Sequence, residues 1–434
     1  MASEEQATVV DLDHTGRGVA RLEGKAVFVS GALPGEEVRL KRTRLHARFD
    51  EALLLEVIRP SPDRREPACA HFGRCGGCAL QHFAPEAQWA AKHRELLTQL
   101  ERIGQVTPRE MLPALTGPLF GYRRRARLGV KYLAKSGRAI VGFRERTSPL
   151  LTDVRHCHVL ASPVGELCEA LGEMIGLLSI NSRLPQIEVS IGAEVTVMVL
   201  RVLLPPTDAD LAVLRRFAAQ HTVEFWLQSG GRDSIVPLDA SAKPLNYELP
   251  EFNVKIGFGP LDFVQVNTVL NERMVSRAIE LLAPEPGESV LDLYCGVGNF
   301  TLPLGRRAAQ VLGIEGEAAL VAKARSNATA NGLDNVQFAT ADLSVAPKDE
   351  PWLKKRFDRI LLDPPRAGAA ALLPFIAKSG AKRVVYISCH PASLARDAGV
   401  LVREHGYTLT AAGVMDMFPH TAHVESIAVF EPTR

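Results

Sequence analysis

One cysteine, Cys389, follows a run of apolar residues and stands in the turn Ser-Cys-His-Pro at positions 388–391. A carboxylate, Glu425, closes the later segment Pro-His-Thr-Ala-His-Val-Glu at 419–425. A thiol and a carboxylate are the groups needed to methylate carbon 5 of a uracil ring. A thiolate that adds to carbon 6 makes carbon 5 nucleophilic, and a carboxylate then removes the carbon 5 proton so that the thiolate can leave. A cysteine at a strand end is otherwise a small buried apolar residue, so this interpretation depends on a cofactor site upstream.

Such a site is indicated by a glycine-containing turn after a predicted strand. Residues 290–294 form the strand, and the two glycines of the turn Cys-Gly-Val-Gly-Asn-Phe at 295–300 let backbone N–H groups approach a ligand closely. A simple tight turn is the alternative for a lone Gly-x-Gly. A second apolar strand, 311–315, ends in Glu315, which lies about 20 residues beyond the glycines, as expected for an acid that binds ribose hydroxyls.

Strands and helices continue to alternate after this unit. A helix is predicted over 319–330, and strands are predicted over 336–338 and 357–363. Asp342 follows the first of these strands and is placed to contact the adenine end of a ligand. The alternation predicts a parallel, doubly wound α/β sheet whose ligand lies at the carboxyl ends of the strands.

Two further segments narrow the class of enzyme: Asp-Pro-Pro-Arg-Ala-Gly at 363–368 and Ser-Cys-His-Pro-Ala-Ser-Leu-Ala-Arg-Asp at 388–397. With the glycine turn, they resemble class I S-adenosylmethionine methyltransferases and, among these, the RNA uracil-C5 methyltransferase family. The resemblance extends along the whole chain and is greatest to the bacterial 23S ribosomal RNA members, which carry an N-terminal TRAM domain and an iron–sulfur cluster. It implies that the chain methylates carbon 5 of a specific uridine in 23S ribosomal RNA with S-adenosylmethionine.

The resemblance also implies roles for individual residues. Cys389 would be the nucleophile and Glu425 the proton acceptor. The sequence departs from the family's usual form at His390, where asparagine is common, and at Asp342, where an amide also occurs. The side chains implied to hold the uracil are Phe263, Gln265 and Asp363. The side chains implied to contact or border the cofactor are Gln265, Tyr294, Asn299, Glu315, Asp342 and Asp363.

Four of the seven cysteines form a candidate metal or cluster site. Cys69, Cys75 and Cys78 lie close together in sequence, and Cys157 stands later between two histidines. Four thiolates can hold a 4Fe-4S cluster or a tetrahedral zinc ion. Zinc stays open as an alternative because nearby histidines could each replace a cysteine: His71, His82, His156 and His158. The family resemblance favours the iron–sulfur cluster, with a structural role in the RNA-binding region. Apart from Cys389, two cysteines remain, Cys168 and Cys295, and we expect them to be packing residues.

Two basic runs point to a nucleic-acid partner. Residues 39–48 hold five basic residues and no acid, and residues 122–144 hold eight basic residues and no acid. A solvated surface is the alternative for each run. Both runs fall in alternating, strand-like sequence, which predicts that their cations line one surface and follow RNA phosphates. The formal net charge of only +2 favours a local RNA footprint over general affinity for polyanions.

The chain divides into three predicted domains. Residues 1–62 contain five short strands between glycine- and proline-bearing turns, which predict an OB-like barrel and resemble a TRAM domain. Residues 63–258 are expected to form an α+β domain, with a helix over 85–103 and a hairpin from 186 to 200. Residues 259–434 are expected to form the Rossmann-like methyltransferase domain.

Composition and termini bound the remaining possibilities. The chain is 46% hydrophobic and 23% charged, which is ordinary for globular proteins. It has no run of about 18 apolar residues and no signal peptide pattern, so we expect no membrane span, a cytoplasmic location and reduced thiols. No obligate protein partner is evident. The alternative functions are transfer RNA uracil-C5 methylation, methylation of an exocyclic amine, and RNA binding without catalysis in ribosome assembly.

Overall fold

The computed structural model describes residues 4–433 of the 434-residue chain. The first three residues of the predicted barrel domain and the last residue of the predicted methyltransferase domain lie outside the described residues. The N-terminal strands are β1 (Glu4–Leu12), β2 (Gly18–Leu22), β3 (Lys25–Ser30), β4 (Glu37–Leu45) and β5 (Phe49–Arg59). They form a closed barrel in the order β1-β2-β3-β5-β4, which confirms the predicted barrel. Alternate apolar residues of the strands fill its core, as the two-residue period of a strand requires.

A long helix follows the cysteine-rich segment. The helix α1 (Pro85–Gln99) begins with proline, whose fixed φ suits the first helical position. It continues as a π-helical turn, Leu100–Gly104, so the predicted helix over 85–103 is confirmed. The chain then forms a two-residue strand, β6 (Glu110–Met111).

The next segment folds into a six-stranded sheet with two helices. Its helices are α2 (Cys168–Gly176) and α3 (Asp208–His221), and its strands are β7 (Arg125–Leu133), β8 (Arg138–Gly142), β9 (Gln186–Ile191), β10 (Thr196–Arg201), β11 (Glu224–Gln228) and β12 (Ile235–Pro237). The strand order is β12-β11-β10-β9-β7-β8. Strands β9 and β10 are antiparallel, with Ile191 opposite Thr196, which confirms the predicted hairpin.

A second, larger sheet occupies the C-terminal part of the chain. A hairpin of β13 (Leu245–Leu249) and β14 (Val254–Phe258) precedes it. The sheet combines β6 with β15 (Ser289–Leu293), β16 (Gln310–Glu315), β17 (Val336–Thr340), β18 (Arg359–Leu362), β19 (Arg383–Ser388), β20 (Tyr407–Met415) and β21 (Glu425–Pro432). The accompanying helices are α4 (Thr268–Leu282), α5 (Thr301–Gly305), α6 (Ala318–Ala330), α7 (Leu373–Lys378) and α8 (Pro391–Arg403). Short 3₁₀ turns cover Val164–Glu166, Asn181–Arg183, Arg232–Ser234, Pro250–Phe252, Pro351–Lys354 and Ala370–Leu372.

The eight strands lie in the order β17-β16-β15-β18-β19-β21-β20-β6. The five from β17 to β19 are parallel, which confirms the predicted doubly wound α/β sheet, whereas β21 is antiparallel to both of its neighbours. Alternate residues face opposite sides: Val290 packs in the core beneath α4, and Leu291 packs in the core beneath α7 and α8. The strand order reverses between β15 and β18, and a ligand crevice is expected outside the carboxyl ends at such a point.

The division of the chain at residues 63 and 259 stays a prediction. Within 63–258, α1 packs on α8, β6 pairs with β20, and the β13–β14 hairpin shares a hydrophobic core with α4. Segments from this range therefore support the larger sheet as well as the six-stranded one. Among residues 4–433, no helix is long and apolar enough to cross a membrane.

Candidate functional site

The turn after β19 places Cys389 at the carboxyl edge of the larger sheet. β19 is buried from Val384 to Ser388 because it lies between two other strands with helices on both faces. Cys389 itself is only partly buried. The Nδ1 atom of His390 accepts a hydrogen bond from the Ser393 backbone N–H at 3.3 Å and so caps α8. Asparagine is a favoured cap residue, so the histidine at this position fulfils the structural role that an asparagine would have.

The register of β21 brings Glu425 to the same edge. Ser388 pairs with Ser426 in the antiparallel ladder of β19 and β21, so Cys389 and Glu425 occupy the next pair of positions. Glu425 is buried, and the Nε2 atom of His423 lies 3.6 Å from its Oε1 atom. A thiol and a carboxylate 36 positions apart in sequence therefore lie at the same end of two adjacent strands.

Acidic neighbours and burial suppress ionisation in this group. Burial raises the pKa of Cys389 to about 11, the charges of Glu425 and Asp363 add to this effect, and Arg366 opposes it. Burial likewise raises the pKa of Asp363 to about 8, with contributions from the charges of Glu425 and Asp292. Burial and the neighbouring carboxylates therefore favour the protonated form of both the Cys389 thiol and the Asp363 carboxyl.

The glycine turn after β15 adopts a left-handed backbone at three positions. The φ angles are +66° at Tyr294, +54° at Gly296 and +99° at Gly298. A Cβ added at Gly298 would lie 3.0 Å from the Leu302 Cγ atom, whereas one added at Gly296 would meet no atom within 4 Å. Gly296 therefore borders open space, which its missing side chain leaves free for a ligand.

Glu315 at the end of β16 holds this turn in place. One carboxylate oxygen accepts the Gly296 backbone N–H, and the other accepts the Glu317 backbone N–H, each at 3.0 Å. The Tyr294 hydroxyl donates to the Leu343 carbonyl at 3.0 Å, beyond the end of β17. Asp342 is exposed, and hydrogen bonds from Ser344 lower its pKa. The structure thus gathers Tyr294, Glu315 and Asp342 at adjacent carboxyl strand ends.

Gln265 and Asn299 approach the site from the side of α4. The Asn299 and Asn271 side-chain amides exchange two hydrogen bonds of 2.9 and 3.0 Å, and the Tyr247 hydroxyl donates to Asn299 Oδ1 at 2.8 Å. Gln265, Tyr247 and Asn271 line one small cavity. Phe263 is 72% exposed. Sequence reasoning missed Tyr247 and Asn271, since neither residue stands in a recognisable motif.

Asp292 is a third residue to which the sequence reasoning assigned no role. It is fully buried within β15, and burial raises its pKa to about 7. Thr301 Oγ1 donates to its Oδ2 atom at 2.5 Å, while its Oδ1 atom has no hydrogen-bond partner among residues 4–433. The available signal was a carboxylate inside an otherwise apolar strand.

The four cysteines singled out by the sequence line a single cavity of about 250 Å³, together with His71, His156 and His158. The Gly77 backbone N–H donates to Cys75 Sγ at 3.4 Å. The fourth histidine, His82, packs on the Phe72 ring, with 5.1 Å between the ring centroids. Over the described part of the chain, no three His, Cys, Asp or Glu side chains are spaced to hold a single metal ion. Cys168 and Cys295 are buried elsewhere.

The two basic runs differ in how their charges are used. Within the barrel run, Arg39, Arg42 and Arg44 form ion pairs with carboxylates of neighbouring strands. In the second run, Arg123 lines the cysteine cavity, and Arg124 and Arg125 line the cavity that holds Gln265. These two arginines donate to carbonyl or hydroxyl oxygens of Gly192, Ser190 and Pro260. Arginines of the second run therefore line both cavities.

Known protein families and individual proteins are similar to this chain. Residues 258–432 match the family described as tRNA (Uracil-5-)-methyltransferase, and residues 3–52 match the TRAM domain. The chain is 50% identical over 429 residues to the 23S rRNA (uracil(1939)-C(5))-methyltransferase RlmD of Stenotrophomonas maltophilia, covering 98% of this chain and 97% of that protein. It is 51% identical over 427 residues to the protein of the same name from Alkalilimnicola ehrlichii, covering 98% and 96%. The crystal structure of the Pyrococcus abyssi tRNA (uracil-54, C5)-methyltransferase with S-adenosyl-L-homocysteine is similar at a TM-score of 0.75 and 25% identity, covering 98% of this chain and all of that one.

Proposed function

The chain belongs to the RNA uracil-C5 methyltransferase family, and from this premise we propose that it transfers a methyl group from S-adenosylmethionine to carbon 5 of one uridine in 23S ribosomal RNA. The observation that carries the proposal is that Cys389 directly follows, and Glu425 directly precedes, the end pair Ser388 and Ser426 of the β19–β21 ladder. The ribosomal substrate is supported by relatives that share about half of their residues with this chain over nearly its whole length.

Cys389 is the proposed nucleophile. Its sulfur adds to carbon 6 of the uracil, and the electron pair of the C5–C6 double bond moves toward carbon 5 and the carbon 4 oxygen. Because burial raises the pKa of the free thiol to about 11, the thiol loses its proton only as the bond forms, and water at the partly exposed sulfur takes that proton. Protonated Asp363, whose pKa is raised to about 8, can donate a hydrogen bond to an oxygen that gains negative charge.

Glu425 is the proposed base. After carbon 5 has gained its methyl group, the carboxylate takes the carbon 5 proton, the double bond reforms, and the bond from carbon 6 to sulfur breaks. Its position next to the end pair of the ladder that Cys389 follows supports this role. The two carboxyl groups thereby have different roles, since the protonated form of Asp363 donates a hydrogen bond and Glu425 must be ionised to act as a base.

The cofactor residues are proposed as Gln265, Tyr294, Asn299, Glu315, Asp342 and Asp363. The open space beside Gly296, where an added Cβ would meet no atom within 4 Å, leaves room for a ligand in this crevice. Bound S-adenosylmethionine supplies an electrophilic methyl group. The protein's contribution is to hold the turn at Glu315, to fix Asn299 through Asn271, and to exclude water from the buried carboxyls.

Cys69, Cys75, Cys78 and Cys157 are the proposed ligands of a 4Fe-4S cluster, and zinc is the competing occupant. Four free thiols lining one cavity, with the Gly77 N–H directed at a sulfur, suit cluster ligation. The cluster would hold the cysteine segment and Arg123 in place and would take no part in the chemistry. Arg124 and Arg125 line the cavity that holds Gln265, and they are the proposed contacts for RNA phosphates.

Methyl transfer to defined RNA tests the function. Purified protein with S-adenosylmethionine is expected to form 5-methyluridine at one position of a 23S ribosomal RNA transcript and to leave transfer RNA unmodified. Cys389→Ala should abolish turnover and still bind S-adenosylhomocysteine, while the control Cys168→Ala, at a buried thiol remote from the site, should retain turnover. Methylation of transfer RNA alone would overturn the substrate, and a methylated exocyclic amine would overturn the reaction.

A further inference from the structure

The loop that precedes Glu425 is held in place by contacts with residues outside the larger sheet. Residues 416–424 connect β20 to β21, and the ladder on either side of this loop closes with Met415 opposite Glu425. Any shift of the loop is therefore transmitted directly to the first residue of β21. We call residues 416–424 the catalytic loop.

Helix α1 holds the start of the catalytic loop through a buried ion pair. The Lys92 ammonium donates to Asp416 Oδ1 at 2.6 Å and to the Phe418 carbonyl at 3.2 Å, and both charged side chains are buried. The Trp89 indole N–H donates to the second Asp416 oxygen at 2.9 Å. Burial lowers the pKa of Lys92, and the charges of Asp416 and Glu425 oppose this effect.

The middle of the catalytic loop is held by Gln88, one turn earlier on α1. The buried Gln88 side chain accepts the His420 backbone N–H at 3.0 Å and donates to the carbonyls of Leu80 and Phe83 at 3.0 and 2.7 Å. The His420 carbonyl in turn accepts the backbone N–H groups of Ala79 and Leu80. His420 has a φ of +64°, a strained value for a residue with a side chain, and such a conformation persists only where surrounding contacts enforce it.

We infer that α1 is a clamp for the catalytic loop, and that Lys92 and Gln88 are positioning residues that place the Glu425 carboxylate for removal of the carbon 5 proton. This inference rests on the proposed function, because it assigns the clamp to one step of that reaction. Lys92 and Gln88 act through Asp416 and His420 and do not touch the nucleobase. A carboxylate displaced by about 1 Å can lose about 10²-fold in rate, so a loosened clamp slows proton removal more than it slows attack by Cys389.

Two variants of the clamp test the inference. Gln88→Met keeps the side-chain length and removes the hydrogen bonds to the catalytic loop. The double variant Lys92→Met with Asp416→Asn removes both buried charges together, because a single one would leave an unpaired charge in the interior. Each folded variant is expected to lose about 10²-fold in turnover and to accumulate a covalent protein–RNA adduct on a denaturing gel. If the double variant does not fold, Gln88→Met decides.

Leu96→Ala is the matched control, because Leu96 is a buried residue of the same helix that packs in the sheet core. It should lower the melting temperature without raising the adduct fraction. An adduct fraction in the clamp variants no higher than in the unaltered protein would overturn the inference, whatever happens to turnover. Glu425→Gln in the otherwise unaltered chain tests the proposed base separately: if this variant traps no adduct, the assignment of the base fails, and if only the clamp variants trap none, the clamp alone fails.

Discussion

At the scale of single residues, the site is built to keep a thiol protonated until substrate arrives. Many catalytic cysteines have a lowered pKa because a cation or a helix N-terminus stabilises the thiolate. In Cys389, burial raises the pKa to about 11, the charges of Glu425 and Asp363 add to this effect, and Arg366 and a backbone hydrogen bond oppose it. A free thiolate would react with oxidants and electrophiles. Keeping the thiol protonated therefore protects this partly exposed nucleophile.

This environment predicts the pH dependence of Cys389 alkylation in the free protein. Because the thiolate fraction rises about tenfold per pH unit below the pKa, the rate with iodoacetamide should climb steadily from pH 7 to pH 10 and reach half of its maximum only near pH 11. Arg366→Ala removes the one opposing charge and should slow alkylation at pH 8. Mass spectrometry of the peptide containing Cys389 separates this thiol from the other six. A plateau at pH 8.5 or lower would show that the acidic neighbours do not control the thiol.

The role of a residue could be predicted from the sequence where the chemistry allows few side chains. It could not be predicted where the role depends on contacts between residues far apart in the chain. The cysteine and glutamate stood out because few other side chains serve those steps. The partners of Asn299 did not, because Tyr247 reaches it from a hairpin 52 positions earlier in the chain. Asp292 was visible as a polar residue in an apolar strand, but only the fold shows that one of its oxygens lacks a partner within residues 4–433.

At the scale of elements, the glycine turn and the antiparallel strand β21 shape the site. The alternation that predicted β15 to β19 is local, so it could be recognised from periodicity and turn residues. The insertion of β21 between β19 and β20 could not, because strand neighbours are chosen by tertiary packing and its apolar run fits several positions in a sheet. That insertion is what places Glu425 opposite Cys389.

A pair of glycine variants tests the turn as a cofactor cradle. Gly296→Ala and Gly332→Ala introduce a methyl group at similar left-handed angles, with φ of +54° and +63°, and neither new Cβ would meet an atom within 4 Å. Each should cost about 1–2 kcal/mol of stability. Only Gly296→Ala should weaken S-adenosylhomocysteine binding in a calorimetric titration, since Gly332 lies after α6, away from the crevice. Equal affinity in the two variants would place the cofactor elsewhere.

At the scale of the whole molecule, the barrel, the cysteine segment and α1 meet at the catalytic loop. Gly16 of the barrel approaches Ala79, Leu80 and Ala422 so closely that an added Cβ would lie 3.2 to 3.4 Å from their side chains. Leu33, Leu80 and Phe83 form a small core at this junction. The barrel therefore supports the catalytic loop, which ends next to Glu425, in addition to any contact that it makes with RNA.

The occupant of the cysteine cavity can be measured on the whole protein. Anaerobic purification should yield about four iron and four sulfide per chain, as a cubane cluster requires. Cys157→Ala should reduce the iron content, whereas Cys168→Ala, which changes a buried thiol outside the cavity, should leave it unchanged. Detection of zinc without iron would show that the cavity holds a single metal ion and no cluster.

The most direct measurement is covalent capture of the nucleobase. A 23S ribosomal RNA fragment with 5-fluorouridine at the target position has no carbon 5 proton for Glu425 to remove, so the bond from sulfur to carbon 6 persists. With S-adenosylmethionine present, we predict a complex stable to denaturation, a mass increase on the peptide that contains Cys389, and loss of both in Cys389→Ala. A catalytically active preparation that forms no adduct, or an adduct on any other cysteine, would contradict the account.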